Sequence, residues 1–127
     1  MLIPEYKPVS AAPTAEFVQL TQLEQYKKIR AATTDKVIVI LFSADWDESS
    51  RVLKEMLSER VRHNFGTKTI LFNWVDCDQA EDLVEHFDVE SVPSLAIVLS
   101  HKQNYEVLPG VTPEKLTEKV TELDNFI

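Results

Sequence analysis

The chain has 127 residues, 44% hydrophobic and 27% charged, with a formal net charge of −8. That length suits one domain burying about 65% of its unfolded surface, and the excess of carboxylates disfavours a nucleic-acid backbone or an anionic membrane as partner. No apolar run approaches the ~20 residues of a membrane span, and the single cysteine, Cys77, lacks an internal disulfide partner, which fits a reducing compartment, cytoplasm or nucleus.

Residues 1–14 hold three of the six prolines, Pro4, Pro8 and Pro13. They read as an extended or loosely attached tail ahead of one domain over residues 15–127. No basic segment followed by an apolar core opens the chain, so no secretory signal is expected. Residues 16–20 form a short candidate strand. Thr21 as N-cap and Glu24 three residues later suggest a capping box. The helix it opens reaches about residue 32, with Leu23, Tyr26 and Ile29 or Arg30 on its inner edge, and residues 33–36 turn the chain. Val37, Ile38, Val39, Ile40, Leu41 and Phe42 then form an unbroken apolar run, which fits a strand covered on both faces. Residues 43–46 make a short polar connection. A helix begins near Asp47, with Val52, Leu53, Met56, Leu57 and Val61 at three- and four-residue spacing. It ends near Phe65, and Gly66 is its stop. Residues 69–75 read as the next strand and residues 79–87 as a helix with Ala80, Leu83, Val84 and Phe87 on one face. Residues 94–99 and 105–108 read as two strands joined by a hairpin turn. Thr112 as N-cap and Pro113 at the first position open a last helix to about Leu123. The order β-α-β-α-β-α-β-β-α predicts an α/β fold, a mixed five-stranded sheet with helices on both faces.

A strand, a short loop and a helix start present outward backbone N–H groups that favour negative charge. Here that loop carries Trp46, Asp47, Glu48, Ser49 and Ser50. Ser43-Ala44-Asp45-Trp46 resembles the W-A-E/D-W lead-in of the thioredoxins, and Asp47-Glu48-Ser49-Ser50 falls where that family carries C-G-P-C. Three further features carry the resemblance. Val92-Pro93 falls where the family has a cis-proline, Asp76-Cys77-Asp78 resembles its N-I-D step, and Gly110 follows the last strand. The resemblance spans about residues 17–123 and implies the thioredoxin fold. It also implies that the redox chemistry is gone. Asp47 stands at the nucleophilic cysteine's position and Ser50 at the resolving one, and neither side chain performs thiol exchange. Leu41 stands where the family has an assisting buried carboxylate, and Trp74 where it has a lysine.

Two readings of the loop stay open. Asp47 at the N-cap contributes about 1 kcal/mol and Glu48 in the first turn a smaller dipole term, so the loop reads as a well-capped helix start. Alternatively the degenerate loop, with Trp46, Asp47, Val92 and Pro93, is a recognition surface for a protein partner. Cys77 is the sole candidate thiol. Flanking Asp76 and Asp78 disfavour its thiolate, so it reads as a packing residue or, alternatively, as a redox sensor or stand-alone oxidoreductase thiol. His63, His86 and His101 lack metal-ligand spacing, and the Asp82–His86 pair reads as a solvated helix face. With Gly66 and Gly110 as the two glycines, there is no phosphate-cradling loop. Ser49 and Ser50 have no evident His-Asp arrangement. No metal and no cofactor are expected, and no disulfide oxidoreductase activity.

Within the superfamily, residues 17–26 and the acidic Asp76–Asp78 step are similar to the N-terminal thioredoxin-like domain of multidomain monothiol glutaredoxins. That resemblance implies a docking module for a protein partner or a downstream glutaredoxin-type domain, in iron–sulfur or redox homeostasis. In that family a C-G-F-S motif and glutathione hold the cluster in the following domain. This chain contains no C-G-F-S.

Overall fold

A computed structural model describes residues 17–32, 36–62, 70–99 and 104–126. Along the chain lie β1 (Phe17–Gln19), α1 (Leu23–Ala32), β2 (Val37–Ser43), α2 (Glu48–Arg62), β3 (Ile70–Asp76), α3 (Glu81–Phe87), β4 (Ser94–Leu99), β5 (Asn104–Pro109) and α4 (Pro113–Phe126). The sheet order is β1-β3-β2-β4-β5. β3 runs parallel to both β1 and β2, whereas β4 runs antiparallel to β2 and β5. This is the expected thioredoxin fold with a mixed five-stranded sheet.

The organising strand is β2, every residue of which is buried. Successive side chains of a strand point to opposite faces, so an unbroken apolar run feeds two cores. Val37, Val39 and Leu41 join Leu53, Leu57 and Val61 of α2 and Leu116 and Val120 of α4 in one cluster. Ile38, Ile40 and Phe42 join Tyr26 of α1 and Leu83 and Phe87 of α3 in the other. An alternating strand would serve one layer; this one holds two, and that fixes helices on both faces.

Several boundaries differ from the sequence expectations, each for a local reason. The Thr21–Glu24 capping box is replaced by one shifted a residue along. Gln25 Oε1 accepts the Thr21 and Gln22 amides at 2.6 and 3.0 Å and the Thr21 hydroxyl at 3.2 Å. Asp82 Oδ2, from α3, takes the Leu23 amide at 2.9 Å. Helix α3 starts at Glu81 rather than residue 79. Asp76 holds a turn there: its carbonyl accepts the Gln79 amide and its Oδ1 accepts the Asp78 amide, at 2.9 and 3.0 Å. Helix α3 ends on Asp88, in the left-handed region at φ 55°, a conformation Asp tolerates better than most residues. Asp82 and His86 are both exposed on α3, as a solvated helix face requires, and His86 has aromatic neighbours besides. Its ring lies against Phe87 and Tyr26, at centroid distances of 4.9 and 5.7 Å. Thr112 caps α4 as expected, its Oγ1 accepting the Lys115 amide at 3.1 Å, but the helix continues to Phe126. The proline tail, Glu16, the turn over residues 33–35, His63, the Phe65–Gly66 stop, Thr69, the hairpin turn over residues 100–103 and His101 lie outside the described residues.

Among the described residues no helix is long and apolar enough to cross a membrane.

Candidate functional site

The parallel strands β2 and β3 end side by side, with Ser43 opposite Asp76. Two loops leave from there. The first, residues 44–47, leads into α2. Its tight turn is closed by the Asp47 amide on the Ala44 carbonyl at 3.1 Å. Asp47 is the N-cap: its Oδ2 accepts the Ser50 amide at 2.9 Å and the Ser50 hydroxyl at 2.8 Å. Its carbonyl accepts the Arg51 amide at 3.2 Å, the first bond of the helix. Ser50 is fully buried, so the carboxylate satisfies both of its donors where water cannot. Asp47 and Ser50 are therefore bonded to each other, Asp47 as the cap and Ser50 inside the first turn of α2.

Trp46 is 70% exposed, an unusual condition for the largest side chain,. Its indole Nε1 donates to Asp78 Oδ2 at 2.9 Å, which ties the first loop to the second. The Arg51 guanidinium donates to the Asp45 carbonyl.

The peptide bond Val92–Pro93 is cis. Pro93 is buried, and its carbonyl accepts the Val111 amide at 3.2 Å. Ser94 Oγ bonds the Ser91 carbonyl at 2.7 Å and braces the same turn. Between this turn and the start of α2 runs an open groove of about 440 Å³, lined by Glu48, Ser49, Val52, Pro93, Gly110 and Val111 among others. Gly110 adopts φ 61°; an L side chain would be strained there although nothing lies within 4 Å of an added Cβ,. The structure thus gathers Glu48, Ser49 and Pro93 on one groove. Trp46 and Asp47 lie in the loop that leads into α2, and Val92 is half-buried beside Pro93.

Val52, which its spacing places on the core stripe, is 45% exposed and faces the groove. Val111 and Thr112 of the β5–α4 connection and Pro113, the first residue of α4, also line the groove, although sequence reasoning gave them no site role. The available signal was Val52 itself, one position off the Leu53–Leu57–Val61 line that fills the core.

Leu41 and Trp74 are cross-strand partners in the β2–β3 register. The Lys54 ammonium, from α2, lies 3.3 Å from the Trp74 ring centroid. An apolar pair and a cation–π contact thus occupy the places where the resemblance implies a carboxylate and a lysine.

Cys77 sits in the second loop and is half-buried. Its amide bonds the Ser43 carbonyl at 2.9 Å. Burial, with smaller contributions from Asp76 and Asp78, pushes the thiol up to about 11. The flanking carboxylates thus act in the direction their charge dictates, but desolvation is the larger cause. No group of three or more His, Cys, Asp and Glu side chains converges as for a metal ion among the described residues.

The family model described as Thioredoxin matches residues 7–122. The chain is 31% identical over 97 residues to the H-type thioredoxin of Fagopyrum esculentum, covering 76% of this chain and 78% of that protein. It is 24% identical over 105 residues to monothiol glutaredoxin-4 of Schizosaccharomyces pombe, covering 83% of this chain and 41% of that protein. A peptide-N(4)-(N-acetyl-beta-glucosaminyl)asparagine amidase of Caenorhabditis elegans is 25% identical over 108 residues, covering 85% of this chain and 17% of its own length. The chain therefore spans less than half the length of these last two relatives. Among solved structures, the thioredoxin of Malassezia sympodialis superposes with a TM-score of 0.72 at 18% identity, covering 90% of this chain and 96% of that one. At that identity the likeness speaks for the fold alone.

Proposed function

The chain belongs to the thioredoxin family, and from that premise we propose that it is a member that binds other proteins and performs no dithiol exchange. The observation that carries this reading is the Asp47–Ser50 pair. Both positions hold oxygen side chains, joined to each other at 2.8 Å, while the groove and the Pro93 turn beside them remain open. Retained surface with replaced chemistry favours recognition over catalysis. The test is a disulfide-reductase assay on the purified protein. Turnover at the level of a no-enzyme blank is expected, and clear turnover would refute the reading.

We place the unit in or beside a glutaredoxin-type protein, docking a neighbouring domain or a protein partner in iron–sulfur or redox homeostasis of the cytoplasm or nucleus. The similarity to a monothiol glutaredoxin more than twice as long as the matched region supports this, although free-standing thioredoxins match as well. An immunoblot of source-cell extract with an antibody against this domain checks it. A band much heavier than this chain is expected, and a band at the chain's own mass contradicts it. The reading through Cys77, as a sensor or exchange thiol, is opposed by the rise of that thiol to about 11. Partner binding unchanged in Cys77→Ser supports the groove, and binding lost supports the thiol.

A further inference from the structure

We propose that the pocket between β4, β5 and α4 binds a small amphipathic acid, its apolar chain on Ile97, Leu99 and Leu123 and its carboxylate on the Lys119 ammonium. This pocket shares no lining residue with the groove beside the β2–α2 loop, so the proposal stands apart from the binding role given above. Side chains two apart on a strand share a face. Ile97 and Leu99 therefore point the same way, and Glu106 of β5 is the cross-strand partner of Ile97. On α4, Lys119, Glu122 and Leu123 fall at three- and four-residue spacing and form one flank of the helix,. Leu116 and Val120 of the same helix are buried in the core, with Leu99 and Leu123 half-buried against it. The flank beyond them leaves a cavity of about 340 Å³. That volume lies in the lower part of the ~300–1,000 Å³ range of small-ligand pockets. At ~30 Å³ for each water-sized group it admits a chain of about eight carbons with its head group, and no folded partner.

The fixed charge in the pocket is positive. The Lys119 side chain is 19% exposed, whereas those of Glu106 and Glu122 are 56% and 63% exposed. The ammonium stands 3.8 Å from Glu106 Oε1 and 3.6 Å from Glu122 Oε1, both longer than the about 2.7–2.9 Å of a charge-assisted hydrogen bond. An ammonium has three donors, and neither carboxylate takes one at close range. The two glutamates can turn outward into water. The lysine stem lies along apolar surface, and moving it out would expose that surface. A ligand carboxylate supplies the short acceptor, and its chain covers the half-buried leucines at the same time. A cationic head group meets Lys119 with like charge, and a neutral one leaves the ammonium unmatched.

The test is a chemical-shift titration of the unaltered protein, followed by NMR at neutral pH, with octanoate, octanol and octylamine as probes of one chain length. Octanoate is expected to bind with a Kd on the order of 1 mM or tighter, and to move the amide signals of Ile97, Leu99, Lys119 and Leu123. Octanol and octylamine bind roughly tenfold more weakly. Lys119→Gln lowers octanoate affinity to about that of octanol, while Lys119→Arg, which keeps the cation, stays within a factor of about three. Glu106→Gln, on an exposed side chain, removes a competitor for the ammonium and strengthens octanoate about twofold or more; it also guards against a folding defect in the lysine variants. Lys115→Gln, an exposed cation of the same helix paired with Glu118, leaves binding unchanged. Equal affinity for octanoate and octanol overturns the role of Lys119, and tighter binding of octylamine reverses the sign and overturns it as well. Signals that move only around the β2–α2 loop, or no binding of octanoate at all, refute the site.

Discussion

Two loops leave the same end of the sheet, and their chemistry is divided between them. The loop after β2 ends at a helix N-terminus, the setting that lowers a thiol's pKa and makes it reactive, and it holds Asp47 and Ser50. The loop after β3 holds the thiol of Cys77, but it supplies burial and two carboxylates, which push that thiol up to about 11. The loops are adjacent and joined by Trp46 and Asp78 at 2.9 Å. One has the environment without the sulfur, and the other has the sulfur without the environment. The helix N-terminus and the thiol are thus held on different loops of this chain.

The largest expected effect tests what the loops share. Phe42 lies near the end of β2, is fully buried, and meets Phe87 at 5.5 Å between ring centroids. Phe42→Ala is expected to cost about 3–5 kcal/mol in a denaturant titration. A loss below ~1 kcal/mol would mean that the loops do not depend on this common support.

Next comes the disabled thiol. A thiol at about 11 carries roughly one hundredth of the thiolate of one at 9.0 at neutral pH,. Alkylation of Cys77 in the folded protein should be slower by that factor than in the unfolded chain and should accelerate as pH climbs toward 11. The sign for stability follows. The folded state holds this proton more tightly, so the contribution is present below the ordinary thiol range and is lost as pH rises through about 11,. Alkylation at neutral pH as fast as in the unfolded chain would erase the contrast between the loops.

A smaller effect tests the other loop. Asp47→Ala removes the acceptor of both Ser50 donors and should cost about 1–2 kcal/mol by thermal or denaturant unfolding. Asp47→Asn keeps an acceptor oxygen and should cost less. Equal losses in the two variants would show that cap geometry does not set the role of Asp47.

Sequence alone revealed most of the frame because β2 announces itself. Six consecutive apolar residues have no face to spare for water, and two cores follow from that. The cap of α1 was less accessible. Its second acceptor, Asp82, lies 59 residues from Leu23 in the chain, and no local pattern reports such a partner. In the site, the residue types of the loop were legible because Trp46, Asp47 and Ser50 fall on a recognisable frame. The groove was not, because its far wall, Val111 to Pro113, comes from the β5–α4 connection and the first residue of α4 and meets α2 only after folding. Val52 shows the same limit. A helical stripe wider than the Leu53–Leu57–Val61 line looks like core until the neighbouring loop fails to cover it.

The most direct measurement is insulin reduction by the unaltered protein beside an Asp47→Cys/Ser50→Cys variant, with dithiothreitol as electron source. Turnover at the blank is predicted for the unaltered protein and clear turnover for the variant, since the N-terminus of α2 would then hold thiols in the place that activates them. Turnover by the unaltered protein equal to that of the variant would contradict it.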